Sequence, residues 1–350
     1  MTALYRICIS IALLYLAGCT SLSYYRQSIW GHLEVVGKSR PITEWLAEEG
    51  LNKETREHLQ TVLEARNFAS EKLDLPKNHS YTRYADLGRP FVVWSVFAAP
   101  ELSLRPVEWC FPFTGCLAYR GYFHERDAKD FAGELRKQGK DVYIAGIPAY
   151  STLGWFDDPV LNTMMRWQEY DLVGIVFHEL THQKIYVKDD TAFNESLASM
   201  MEQEGLRRWF VQRHQPRLYE EYLQDKKRHK QFIDLILGAR NELQQAYTAD
   251  RSDDWKRGRK LEIFQQLKQG YNRLRESWGG YNGYDQWMSA DLNNAKINSV
   301  AAYNDWVPAF EKLLQRSGGE LPVFFRKVEA LAELPRKQRD RELRALLARQ

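Results

Sequence analysis

The stretch Val173-Gly-Ile-Val-Phe-His178-Glu179-Leu-Thr-His182-Gln-Lys-Ile-Tyr186 reads as one buried helix carrying two histidines on a single face. At about 100° and 1.5 Å per residue, rings four positions apart project within roughly 40° of each other and about 6 Å along the axis, so both reach one ion. Glu179 falls beside that ion, where a carboxylate can take a proton from metal-bound water. The apolar neighbours Val176, Phe177 and Leu180 argue against two solvated surface histidines.

A third ligand follows in Thr191-Ala-Phe-Asn-Glu195-Ser-Leu-Ala-Ser-Met-Met-Glu202. A break at Lys188-Asp189-Asp190 ends the first helix, and a second from about Thr191 folds back to present Glu195, thirteen residues after His182. Glu202, seven residues on and on the same helix face, is the rival ligand, and Glu204 is less well placed. Two histidines and one glutamate leave one position open, the pattern of a hydrolytic site for one zinc ion rather than a closed structural site. Zinc-bound histidines usually give their second N–H to a partner. Ser199 is read in that role, toward a ring or Glu195, and Asn194 as a brace of the cleft.

The first nineteen residues, MTALYRICISIALLYLAGC, are set aside from the fold. The apolar run Ile7 to Leu16 is too short to span a bilayer, which takes about twenty residues. Leu16-Ala17-Gly18-Cys19 resembles the lipobox of bacterial lipoproteins. That resemblance implies cleavage before Cys19, acylation of Cys19, and, with Thr20 next, placement on the periplasmic face of the outer membrane. The other two cysteines outside the signal, Cys110 and Cys116, flank Pro112 and Gly115 and are expected to close a tight disulfide loop in an oxidising compartment. The net charge of +3 falls to +2 without Arg6, so no field for nucleic acid is implied. The basic blocks Lys226 to Arg228 and Arg336 to Arg344 read as solvated helix faces.

The fold class expected is α+β, predominantly helical: a small sheet beside the metal helix and a helical bundle after it. Residues 1–18 form the signal peptide, 19–42 a lipidated and docking segment, 43–158 an N-terminal α/β part, and 159–350 the mainly helical part with the metal site. Tyr24, Tyr25, Ile29, Trp30 and Leu33 are read as packing on the body. Thr43 and Asn52 start helices, the second running to about Leu73. Strands are expected at Phe91 to Phe97, Leu117 to Phe123 and Asp141 to Ile147, with a helix from Asp127 to Lys137 stopped by Gly139. Gly205, Pro216, Gly279-Gly280 and Gly318-Gly319 punctuate the helical part. Tyr150, Ser151 and Thr152 are candidates for an edge strand that binds peptide backbone. Tyr303 is the candidate for stabilising the oxyanion, with Tyr186 and Tyr271 as alternatives.

His178-Glu-Leu-Thr-His182 followed by Asn194-Glu195-Ser-Leu-Ala resembles the gluzincin metallopeptidases, whose aminopeptidase branch takes its third ligand from a similar Asn-Glu-x-x-Ala segment. The resemblance implies a zincin-like fold, with His178, His182 and Glu195 as ligands and Glu179 as base. The best-studied gluzincins leave a longer gap before the third ligand. The chain is also similar to a family of bacterial lipoproteins described as predicted aminopeptidases, through the lipobox and Ser23-Tyr-Tyr-Arg-Gln27, Tyr119-Arg-Gly-Tyr-Phe123, Ala149 to Pro159, the metal motif, and Asn293-Asn-Ala-Lys-Ile297. The function expected is zinc-dependent hydrolysis of a peptide substrate by an aminopeptidase, through zinc-bound water activated by Glu179. The alternative is a non-catalytic envelope lipoprotein, a scaffold or chaperone, with a structural or vestigial zinc site. An amidase acting on cell-wall peptides would use the same chemistry.

Overall fold

The computed structural model describes residues 23–111, 115–149, 152, 156–300 and 306–348. Cys19, Tyr150, Ser151 and Tyr303 lie outside them. Helix α1 (23–38) leads into strand β1 (Ser39–Pro41), the short α2 (Ile42–Leu46) and α3 (Lys53–Lys72). Asn52 caps α3 by accepting from the Thr55 N–H at 2.8 Å, as its position predicts. Thr43 is not a cap. Pro41 closes β1 and takes the cap position, and the Ile42 N–H is bound to the Thr82 carbonyl at 3.0 Å, so the helix starts two residues earlier than a cap at Thr43 would give.

The α/β region follows as β2 (Arg83–Ala85), β3 (Val93–Pro100), the hairpin β4 (Trp109–Phe111) and β5 (Gly115–Leu117), β6 (Tyr119–Tyr122), α4 (Glu125–Lys137) and β7 (Lys140–Ile147). Strand β3 is central, with β6 and β7 antiparallel on either side. One face of this sheet carries Trp94, Val96, Ala98, Tyr122 and Val142, and α4 covers it with Ala128, Ala132 and Leu135. Period-two alternation on the strands and helical spacing on α4 thus meet in one small core. Gly139 takes φ +72°, the left-handed turn between α4 and β7. Strand β2 pairs antiparallel with β1 and parallel with β8 (Val160–Leu161). Cys110 and Cys116 face each other across the β4–β5 hairpin with their sulfurs bonded.

The rest is helical: α5 (Glu169–Lys184), α6 (Thr191–Gln212), α7 (Pro216–Thr248), α8 (Asp253–Ser277), the short α9 (Asp285–Ser289) and α10 (Asn294–Asn298), then α11 (Val307–Gln315), α12 (Leu321–Ala332) and α13 (Arg336–Ala348). The molecule is therefore α+β and predominantly helical. Helix α5 runs through the largest core. Leu172, Val173, Val176, Phe177 and Leu180 are all fully buried, and α3 and α6 pack against it. Its β-branched run has poor intrinsic helix propensity, and burial of most of its residues overrides that. Helices α7 and α8 form an antiparallel pair with a separate core around Phe232, Ile236, Leu243, Ile263 and Leu267. The Asn293 to Ile297 stretch is a tie between regions. Asn293 caps α10, and the buried Asn294 amide donates to the carbonyls of Pro100, Glu101 and Ser103.

One expected punctuation is corrected. Helix α6 continues through Gly205, because a Cβ there would lie 2.6 Å from a Phe177 ring carbon and 2.9 Å from Leu73; the missing side chain lets α6 approach α5 closely. The start of α6 is held differently. Asp190 accepts from the Phe193 N–H as cap and pairs at 2.6 Å with Arg339 of α13, both residues being almost wholly buried. Arg339→Ala would strand the Asp190 carboxylate in a dry site and is expected to lower stability by about 3–5 kcal/mol in urea unfolding. A loss below about 1 kcal/mol would put the pair in the class of exposed bridges.

Candidate metal centre

His178 and His182 leave α5 on the side that faces α6, and Glu195 leaves the first turns of α6 toward them. The loop between the helices makes this convergence possible. Asp189 takes φ +61°, and the Asn194 side chain grips the loop with Oδ1 accepting from the Val187 N–H and Nδ2 donating to the Val187 carbonyl, both at 2.8 Å. Asn194 thus braces the loop that sets Glu195, one residue on.

His178 Nε2 lies 3.2 Å from His182 Nε2 and 3.4 Å from one Glu195 oxygen, and His182 Nε2 lies 3.5 Å from the other oxygen. A tetrahedral ion with bonds of about 2.0–2.1 Å keeps its ligand atoms about 3.3 Å apart. The observed edges match that spacing, so this donor set fits zinc; one atom from each residue falls within 4.8 Å of the others. Two ring nitrogens facing each other at 3.2 Å with a carboxylate alongside also share at most one proton between the rings, an arrangement that a cation relieves. His182 is nearly buried and Glu195 is the exposed corner, so the centre opens on the Glu195 side.

Glu202 is near the centre but not in it. Its Oε2 meets His178 Nδ1 at 3.3 Å, on the far side of the ring, while Oε1 accepts from Lys226 Nζ at 2.8 Å and from the Tyr222 hydroxyl at 3.1 Å. With the proton placed on Nδ1 by this carboxylate, the Nε2 lone pair is left for an ion. The ring contact expected of Ser199 is therefore made by Glu202, whose longer arm reaches the imidazole. Ser199 is buried and makes no hydrogen bond to either ring or to Glu195 among the described residues.

The electrostatics of the metal-free site follow from this packing. Burial pushes the His178 imidazolium down, but the Glu195 and Glu202 carboxylates outweigh it and raise the pKa to about 10. Burial, and then the His178 charge, push His182 down to about 4. Burial would raise Glu202, yet His178 and Lys226 hold it at about 2. At neutral pH the metal-free His178 is therefore an imidazolium, with a proton on Nε2 as well as on Nδ1, and an ion at Nε2 must displace the first of these.

Glu179 is half-buried on α5 beside His178. Facing this part of α5 is a segment with no signature in the sequence. Gln183, one turn after Glu179, accepts from Asn78 Nδ2 at 2.6 Å and donates to Ser80 Oγ at 3.2 Å. Buried Arg66 of α3 clamps the same segment through the carbonyls of Pro76, Asn78 and Ser80. Tyr81 follows with φ +62°, an uncommon conformation for a bulky residue. It is buried, its N–H donates to the Asp158 carbonyl at 2.7 Å, and burial and then the Glu179 and Asp158 charges raise its phenol pKa well above the ordinary range. Thr152 is tied in as well: its N–H and hydroxyl both donate to the Asp158 carboxylate, so this N–H is committed and not open to an added strand. Among the described tyrosines, Tyr186 is exposed with its ring 6.2 Å from that of His182, whereas Tyr271 is bonded to Asp285 in the α7–α8 core.

A family profile described as "Putative aminopeptidase" matches residues 23–343. The chain belongs to that family. Membership in the aminopeptidase family supports a peptidase activity and spans both the α/β region and the helices that carry the centre. No curated protein and no solved structure matches the chain.

Two measurements test the centre. Purified protein should take up one zinc ion; Glu195→Ala should abolish uptake, and Glu202→Gln, which keeps the shape and drops the charge behind His178, should weaken it about 10–100-fold. Because His178 must give up a proton whose pKa is raised to about 10, zinc binding releases one proton below that pH. The apparent Kd should then fall about tenfold per pH unit between pH 6 and 9 in competition titrations. A flat profile would mean that His178 is already neutral.

Proposed function

We propose that this chain is a zinc-dependent aminopeptidase with Glu179 as its general base. The observation that carries this reading is the triangle of two imidazole nitrogens and one carboxylate, with edges of 3.2–3.5 Å, and Glu179 on the adjoining position of the same helix. Zinc held there would supply Lewis acidity toward the scissile carbonyl and make water easier to deprotonate. Three protein ligands leave room for a substrate, and a closed structural site would have no use for Glu179.

The chain's own groups divide the remaining work. Glu202, fixed by Lys226 and Tyr222, holds the His178 ring in one orientation. Asn194 and the Asp190–Arg339 pair hold the α5–α6 loop, and through it Glu195. Glu179 removes the proton from the attacking water and returns it to the departing amine, one carboxylate serving as base and then acid. Tyr186, beside His182, offers an exposed aromatic surface at the mouth. Nearby, the Tyr119 phenol is raised by burial and then by the Tyr186 charge; with Phe97, whose ring is 5.5 Å from that of Tyr119, it extends the surface against which peptide side chains would lie. Removal of single N-terminal residues is the form of hydrolysis that the family description favours.

Glu179→Gln separates this reading from a non-catalytic lipoprotein. It should keep zinc and lose peptide hydrolysis by at least about a hundredfold. Hydrolysis unchanged in the variant would remove Glu179 from the chemistry. Parallel assays on a peptide with a free and with an acetylated N-terminus test the aminopeptidase form, which only the free peptide should satisfy.

A further inference from the structure

Helix α1 has two apolar faces. The inner face docks it on the body. Gln27 donates to the Gly121 carbonyl and accepts from the Phe123 N–H, and Val35 is fully buried. Tyr24 stacks on Phe111 at 5.4 Å, and Gly31 sits so close that a Cβ would lie 2.0 Å from a Phe123 ring carbon. The outer face carries Tyr25, Ile29, Trp30, Leu33 and Val36, which are 37, 60, 64, 50 and 47% exposed. This corrects the expectation that Tyr25, Ile29, Trp30 and Leu33 pack on the body: docking uses the opposite face. At about 100° per residue the five span roughly 140° of the helix, centred opposite the docked face.

A surface helix ordinarily turns charged residues outward. Here Arg26 is the one charge within that arc, while Glu34 and Lys38 pair with each other at 3.0 Å on the flank, Glu34 also holding Arg89 at 2.7 Å. Five of the thirteen large apolar side chains exposed among the described residues fall within these twelve positions, which marks an interaction surface rather than scattered exposure.

We infer that the outer face of α1 lies in the headgroup boundary of a phospholipid bilayer and sets how the body stands on it. The chain preceding the helix names the occupant. Ser23 is four residues from Cys19, so a lipid on Cys19 leaves at most about 14 Å of extended backbone between the acyl chains and the helix. A helix held that near a bilayer meets the membrane before any other partner. Trp30 and Tyr25 suit the boundary, each with an apolar ring and a polar N–H or O–H, and Ile29, Leu33 and Val36 reach below it. The choice of a bilayer as occupant starts from the reading of Cys19 as the site of acylation, the surface itself stands on the exposed arc of α1, and neither depends on the peptidase reading.

The test uses the acylated full-length mature chain in vesicles of phosphatidylethanolamine and phosphatidylglycerol. An environment-sensitive dye on Leu33→Cys should shift to the blue and be quenched by lipid-borne quenchers, while the same dye on Glu262→Cys of α8 should report water. A second arm uses the mature chain with Cys19→Ser, which has no lipid. It should still sediment with these vesicles, and Ile29→Ser/Trp30→Ser/Leu33→Ser should weaken that binding at least about tenfold with circular dichroism and zinc content unchanged. A dye at position 33 that stays in water on vesicles overturns the inference. So does a dye buried without vesicles in a protein that sediments as a dimer, which would assign the face to a second copy. If mass analysis shows Cys19 unmodified, vesicle binding by the unlipidated chain still upholds the helix surface and only the anchor reading falls.

Discussion

Two imidazoles and two carboxylates gathered within a few ångströms, mostly out of water, form an arrangement that electrostatics opposes unless each group is held from behind. The need to hold them organises much of the helical part. His178 is backed by Glu202, Glu202 by Lys226 and Tyr222 of α7, and Glu195 by the loop that Asn194 and Asp190 fix. The aliphatic face of α5 packs in the core, and the restraints on His178 and Glu195 arrive from α6, α7 and the loop between α5 and α6. Helices that share no sequence motif are joined by this one requirement.

The parts of the centre legible in the sequence were those set by short-range periodicity. A spacing of four between the histidines places two rings on one face, and the break at Lys188-Asp189-Asp190 marks where α6 begins, at Thr191. Illegible were distinctions that depend on which side of a ring a group reaches. Glu195 and Glu202 share a face of α6, and only the crossing of α5 over α6 puts one at Nε2 and the other at Nδ1 of His178. Tyr81 left no trace either, because nothing in a tyrosine's neighbours announces a left-handed backbone.

The fold divides in the same way. The cap at Asn52, the apolar run that becomes β3 and the stop at the left-handed Gly139 follow from local chemistry. Gly205 misled because a glycine in a helix has two opposite uses: it can end the helix, or it can let another element come close, as the contact with Phe177 requires here. Apolar residues in α1 misled for a related reason. Amphipathic patterning says that a face avoids water, but not whether protein or something else covers it.

Arg339 lies 149 positions along the chain from the Asp190 carboxylate that it neutralises. The loop joining the ligand-bearing helices therefore acquires its countercharge only when almost the whole polypeptide is available to fold. A chain emerging from its amino terminus can form α5 and α6 early, but the turn between them stays electrically unbalanced until α13 docks. The centre is thereby coupled to the far end of the chain, and a chain that loses its last helix keeps every ligand yet lacks the clasp that closes around them.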